Sequence, residues 1–124
     1  MLYAKDFARM REFYGRLLQA QPINTEWTDT WALFDTGGTK FALHAIPGKQ
    51  AEERRETSAV KLIFAVEDLP TEHARLEAMG VTMLQRSWQQ PGESCDCVDP
   101  EGNIFQIAAR NRLAHLFGQL GVPA

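Results

Sequence analysis

The strongest constraint on this chain is a turn sequence that occurs twice. Asp35-Thr36-Gly37-Gly38-Thr39-Lys40-Phe41-Ala42-Leu43-His44-Ala45 lies without gaps over Asp99-Pro100-Glu101-Gly102-Asn103-Ile104-Phe105-Gln106-Ile107-Ala108-Ala109. The two segments share the leading Asp, the Gly at Gly38 and Gly102, the Phe at Phe41 and Phe105, and the closing Ala at Ala45 and Ala109. Each joins two apolar runs through an Asp- and Gly-rich connection, the chemistry a hairpin turn requires. Element order repeats as well. Asp6 precedes Phe7, Met10, Phe13, Tyr14, Leu17 and Leu18 at helical spacing, and Asp68 precedes Leu69, Leu76 and Met79 before Gly80 ends the pattern.

Strand-like runs surround both helices. In the first half they are Met1 to Ala4, Ile23 to Trp27, Trp31 to Phe34 and Lys40 to Ile46; in the second, Val60 to Val66, Val81 to Leu84, Ser94 to Val98 and Ile104 to Ala108. The pattern predicts an α+β fold of two duplicated βαβββ modules, residues 1–46 and 59–109, within a single domain 1–124. Residues 47–58 are polar and carry the mixed run Glu52-Glu53-Arg54-Arg55-Glu56, the composition of a linker. In the tail 110–124, Leu113, Leu116 and Phe117 mark a short amphipathic helix.

Composition narrows the function classes. A chain of 124 residues with 44% hydrophobic and 23% charged residues can close one core and leaves no room for a second domain. Thirteen basic against sixteen acidic residues give a net charge of −3, without the dense basic face that nucleic-acid phosphates demand. No apolar run spans a bilayer, and the N-terminus has no export signal, so a cytoplasmic protein without membrane partners is expected. Cys95 and Cys97 are too close for an easy disulfide and too few for a framework.

Asp6 with Phe13-Tyr14-Gly15-Arg16-Leu17-Leu18, Val66-Glu67-Asp68 leading to Leu76-Glu77-Ala78-Met79-Gly80, and the turn Asp99-Pro100-Glu101-Gly102-Asn103 together resemble the vicinal-oxygen-chelate superfamily. That superfamily includes glyoxalase I, bleomycin-resistance proteins and extradiol dioxygenases. The resemblance covers the chain up to Arg110 and is closest in character to a metal-free, bleomycin-resistance-like member. It implies paired modules whose curved mixed sheets enclose a cavity, commonly in a homodimer. It does not fix an activity, because the superfamily hosts lyases, epimerases, dioxygenases, thiol transferases and proteins that only bind.

The resemblance also implies where a metal would be held: metal-using members draw His, Glu or Gln ligands from four equivalent strand positions. Here the first falls ahead of Met1, the second on Ala42, the third on Lys61 and the fourth on Gln106. A methyl group cannot coordinate, a protonated lysine has no lone pair, and a carboxamide oxygen is a weak neutral ligand. His44, two residues beyond Ala42 on the same strand face, is the remaining candidate. A catalytic zinc site keeps about three protein ligands, so no metal and no other cofactor is expected.

Strand alternation selects the other cavity residues. With Lys61 facing inward, Ile63 and Ala65 follow it, and Leu62, Phe64 and Val66 pack on a helix. The turn alignment matches Asp96 to Ala32, and the resemblance implies that the Asp96 position points into the cavity, which leaves Cys95 and Cys97 in the helix layer as small buried hydrophobes. Lys61, Asp96, Gln106 and His44 are therefore the candidate ligand-binding residues, with Asp96 the natural partner of a buried lysine, Ile63, Ile104 and Phe34 as apolar walls, and Trp88 as a lid. The expected function is metal-free binding of a small organic ligand, such as sequestration of an antibiotic or toxic metabolite. Two alternatives remain open: a metal-dependent glyoxalase-like lyase or dioxygenase, or a metal-free enzyme using Lys61 or His44 as base with Asp96 setting its pKa.

Overall fold

The computed structural model describes residues 1–46, 60–84 and 93–111. Its elements are β1 (Leu2–Ala4), α1 (Phe7–Leu18), β2 (Trp31–Asp35), β3 (Lys40–Ala45), β4 (Leu62–Val66), α2 (Leu69–Ala78), β5 (Thr82–Leu84), β6 (Ser94–Val98) and β7 (Ile104–Ala109). They form an α+β structure of two mixed sheets and two helices, with sheets that do not close into a barrel. The chain divides into two compact units, Met1–Arg54 with Pro100–Gly102, and Arg55–Asp99 with Asn103–Ala124. No described helix is long and apolar enough to cross a membrane.

In the first unit the strand order is β1-β3-β2, with β1 parallel and β2 antiparallel to β3. Asp6 starts α1 by accepting a hydrogen bond from the Arg9 N–H at 3.3 Å. The helix ends where Gln19 turns left-handed, and the Ala20 N–H bonds the Gly15 carbonyl. Gly15 eases that close approach, because a Cβ there would lie a tight 3.3 Å from the Ala20 oxygen. Phe7, Met10, Tyr14 and Leu17 form the buried stripe, with the Tyr14 ring 5.0 Å from that of Phe41 on β3. Each such side chain contributes about 1.5–3 kcal/mol through burial.

The expected strand at Ile23 to Trp27 does not form. One backbone bond, from the Ile23 N–H to the Leu33 carbonyl, starts a pairing with β2. The side chain of Asn24 then takes over: its oxygen accepts from the Leu33 N–H at 3.0 Å, and its amide donates to the Trp31 and Glu26 carbonyls, both at 2.9 Å. A side chain thus satisfies the β2 groups that a strand would have paired, and the backbone is released into a turn where Trp27 adopts a φ of 53°.

The second unit contains the full set of elements, in the order β4-β7-β6-β5, with β4 parallel to β7 and the rest antiparallel. Asp68 caps α2 through the Thr71 hydroxyl at 2.8 Å, and Leu69 and Leu76 are its buried residues. The duplication is visible in the pairing: β1 and β3 relate as β4 and β7 do, and β2 and β3 as β6 and β7 do. The two turns differ by one residue, however, since Asp35 pairs with Lys40 but Val98 with Ile104. In the first turn the left-handed glycine is Gly37, whose N–H bonds the Asp35 carboxylate; in the second it is Gly102, within a loop that Asp99 braces through two bonds to Asn103, each 2.9 Å.

The longer second turn also carries Glu101, which groups with the first unit. Its carboxylate, only 3% exposed, accepts from the Lys5 N–H at 2.9 and 2.7 Å and from the Asp6 N–H at 2.7 Å, fixing the entry to α1. Removing it leaves these part-buried N–H groups without their acceptor. Glu101→Ala is therefore expected to lower stability by about 2–4 kcal/mol, and Glu101→Gln by less, in urea unfolding. A Glu101→Ala midpoint equal to that of the unsubstituted chain would refute this role.

Candidate functional site

The register of the second sheet assembles a polar cluster on the face opposite α2. Ile63 on β4 pairs with Gln106 on β7, Gln106 with Asp96 on β6, and Asp96 with Leu84 on β5, so these four side chains share one face. Lys61, two residues before Ile63, joins them. Its ammonium lies 2.9 Å from Asp96 Oδ2, and the Gln106 amide donates to Asp96 Oδ1 at 3.1 Å. The Asp96 side chain is fully buried, whereas that of Lys61 is 35% exposed. The carboxylate therefore sits at the base of the cluster with both oxygens engaged, and Lys61 and Gln106 lie above it.

Alternation in β4 follows the expected split. Leu62, Phe64 and Val66 are the more buried set, and the Phe64 ring meets Phe105 edge-on at 5.9 Å. Ile63, at 49% exposed, and Ala65 lie on the face with Lys61.

The structure brings together Lys61, Asp96 and Gln106 of the expected ligand-binding residues. His44 belongs to the first unit, where it is exposed, pairs with Tyr3 and Trp31 across the sheet, and meets the Tyr3 ring edge-on at 5.8 Å. Trp88 lies outside the described residues. Phe34 does not face an open surface: it pairs with Phe41 and is fully buried on the α1 side. The equivalence of Asp96 with Ala32 is also corrected. Because the second turn is one residue longer, Asp96 corresponds to Leu33, which pairs with Ala42 as Asp96 pairs with Gln106. Leu84 was not anticipated; only the β5–β6 register reveals it, and no residue type signals it in the sequence.

A groove of about 820 Å³ runs along α1 in the first unit, between Ala8, Arg11 and Gly15 on the helix and Asn24, Thr28 and Trp31. Arg11 spans it by donating to the Thr28 carbonyl at 2.7 Å. None of Lys61, Asp96 or Gln106 lines it.

The residues match 1–108 of the chain to the family model described as a glyoxalase-like domain. The chain belongs to that family, within the vicinal-oxygen-chelate superfamily. Solved structures similar to this glyoxalase-like domain include the fosfomycin resistance protein FosX from Listeria monocytogenes, at 20% identity over 86% of this chain and 84% of that one, with a TM-score of 0.66. FosX from Mesorhizobium loti is 18% identical over 93% and 92% of the two chains, with a TM-score of 0.66. An integron cassette protein from Vibrio cholerae is 20% identical over 88% and 90%, with a TM-score of 0.65. No curated protein sequence matches the chain.

The superfamily implies a divalent metal in some members, and the donors described here do not fit one. Lys61 places a cation beside the carboxylate that would otherwise attract a metal, and Gln106 turns its amide donor, not its oxygen, toward that carboxylate. Among the described residues no three His, Cys, Asp or Glu side chains converge as a metal site would require.

Cys97 is fully buried and pairs with Phe105, on the sheet face away from Asp96. Burial first, and the neighbouring Cys95 second, push its thiol far above the usual range; burial likewise raises Cys95. Neither is poised as a nucleophile. The folded thiols stay protonated where unfolded thiols ionise, so their contribution is fully present below about pH 8.5 and is lost as pH rises above it. Stability should accordingly fall with pH in the alkaline range. Cys97→Ala should flatten that slope while costing about 1–2 kcal/mol near neutrality, as read by denaturant unfolding across pH; an unchanged slope would contradict the assignment.

Proposed function

We propose that this glyoxalase-like domain binds a small organic molecule without a metal ion, on the sheet face that carries Lys61, Asp96 and Gln106, and that it acts by sequestering an antibiotic or toxic metabolite. The observation that carries the proposal is the 2.9 Å ion pair between Lys61 and the fully buried Asp96. An ammonium held in that position occupies the ground a divalent ion would need, and like charges exclude one another most strongly next to a buried site. What remains on the face is a pair of polar anchors beside exposed Ile63, the mixture that small-molecule sites use.

A second reading has its own support. The FosX neighbours include one complexed with Mn(II) and 1S,2S-dihydroxypropylphosphonic acid, so a metal-dependent enzyme acting on fosfomycin or a related compound is the alternative. The identity of about one fifth carries the fold alone, and the donor set favours the metal-independent reading. The two free thiols suit a reducing compartment, and we place the protein in the cytoplasm as a homodimer.

Protein purified without chelator is expected to contain well under one equivalent of Mn, Ni, Zn or Fe by elemental analysis, to show no thermal shift with added Mn²⁺, and to leave fosfomycin unchanged. Stoichiometric metal together with fosfomycin turnover would establish the alternative. Lys61→Ala should lower stability by about 1–3 kcal/mol, between the values for exposed and buried pairs, because it leaves the Asp96 carboxylate buried without its counter-ion.

A further inference from the structure

The face of the second sheet turned away from Asp96 gathers three sulfur atoms. Cys95 and Cys97 stand two residues apart on β6, so strand alternation puts both side chains on that face, and Met83 on β5 pairs directly with Cys97. Met83 is also diagonal to Cys95, a separation that a long side chain bridges. Neither cysteine is in a disulfide. Both thiols turn toward the same stretch of backbone, Cys97 donating to the Cys95 carbonyl at 3.8 Å and Cys95 to the Asp96 carbonyl at 3.5 Å, and they share a hydrogen bond with one another.

The donor set selects the ion. Thiolates and thioethers are soft ligands, which take thiophilic metals in preference to hard ones such as Mg²⁺ and Mn²⁺. Among the described residues no third His, Cys, Asp or Glu converges with the two cysteines, so an ion that asks for four strong ligands, as Zn²⁺ does, is not satisfied there. The spacing suits a bridging ion. Strand rise sets the two Cα atoms about 6.6 Å apart, at the far limit for a disulfide, whereas metal–sulfur bonds of about 2.3 Å let one ion span sulfurs about 4.6 Å apart. Burial then sets the charge. Cys97 is fully buried, and the carboxylates of Asp96 and Glu77 both act against negative charge on Cys95. Two thiolates around a divalent ion form a neutral unit; around a monovalent ion they keep a net negative charge that burial penalises.

We infer that Cys95 and Cys97 form a binding site for a soft divalent ion of the Hg²⁺ class, held between the two thiolates with the Met83 thioether as a third, weaker ligand. On binding, both S–H bonds break, two metal–sulfur bonds form and two protons pass to solvent, with no oxidant or reductant taking part. The ion enters past the half-buried Cys95 and Met83, beside the edge strand β5. The site lies on the opposite sheet face from Lys61 and is independent of the organic-ligand reading.

HgCl₂ titrated into the reduced full chain in the presence of excess glutathione tests the inference, read by native mass spectrometry and by X-ray absorption at the mercury edge. The expected product is one Hg²⁺ per chain with two protons lost, two short Hg–S bonds and one longer one. Cys95→Ser and Cys97→Ser should each lower retention at least about tenfold. Cys95 is only half-buried, so the urea midpoint of Cys95→Ser should stay close to that of the unsubstituted chain, which separates lost binding from lost folding. Met83→Leu should lose the longer bond and keep the two short ones. Cu⁺, added as its acetonitrile complex, should remain with glutathione. Equal retention by both serine variants, transfer of the ion from the unsubstituted chain to glutathione, one ion joining two chains, or preferred binding of Cu⁺ would overturn the assignment; an unchanged spectrum in Met83→Leu would remove Met83 from the site.

Discussion

A buried carboxylate must have partners for its charge and its oxygens, and the rest of the candidate site follows from the partners that hold Asp96. Removing a charge from water costs several kcal/mol unless it is paired and hydrogen-bonded. Here the counter-charge is the chain's own Lys61, and the second oxygen is held by Gln106. The carboxylate also sets the orientation of the Gln106 amide, whose N–H it accepts.

The scaffold that positions the cluster is a β-ladder in which register decides everything. Because side chains alternate, a slip of one residue would turn Asp96 toward α2 and place Cys97 on the open face. The β6–β7 pairing prevents that slip, and the Asp99–Asn103 bonds that brace its turn fix the loop length from which the register is counted. The same turn carries Glu101, so one short segment both sets the register of the second sheet and secures the start of α1.

Much of this was legible in the sequence. The helices were marked by an Asp ahead of an apolar stripe, and the duplicated hairpins by turn chemistry that few other conformations tolerate. Alternation in β4 placed Lys61 and Ile63 on one face, and a lysine among apolar neighbours called for a carboxylate, which Asp96 supplies. The parts that were not legible have physical causes. Ile23 to Trp27 has the composition of a strand, and nothing local reveals that Asn24 will cap the β2 edge with its side chain. An ungapped alignment cannot show that one turn holds an extra residue, so Asp96 was matched to Ala32 instead of Leu33, and Phe34 was assigned to the wrong face. Leu84 enters the site only through pairing between strands, which no single segment encodes.

The central claim is that Lys61, and not a metal ion, balances Asp96. Crystals of the chain soaked in Mn²⁺ and measured at the manganese absorption edge test it most directly. The account predicts no anomalous peak within coordination distance of Asp96 or Gln106, with the Lys61 ammonium still in contact with the carboxylate. A peak ligated by Asp96 and the Gln106 oxygen, with Lys61 displaced, would contradict it.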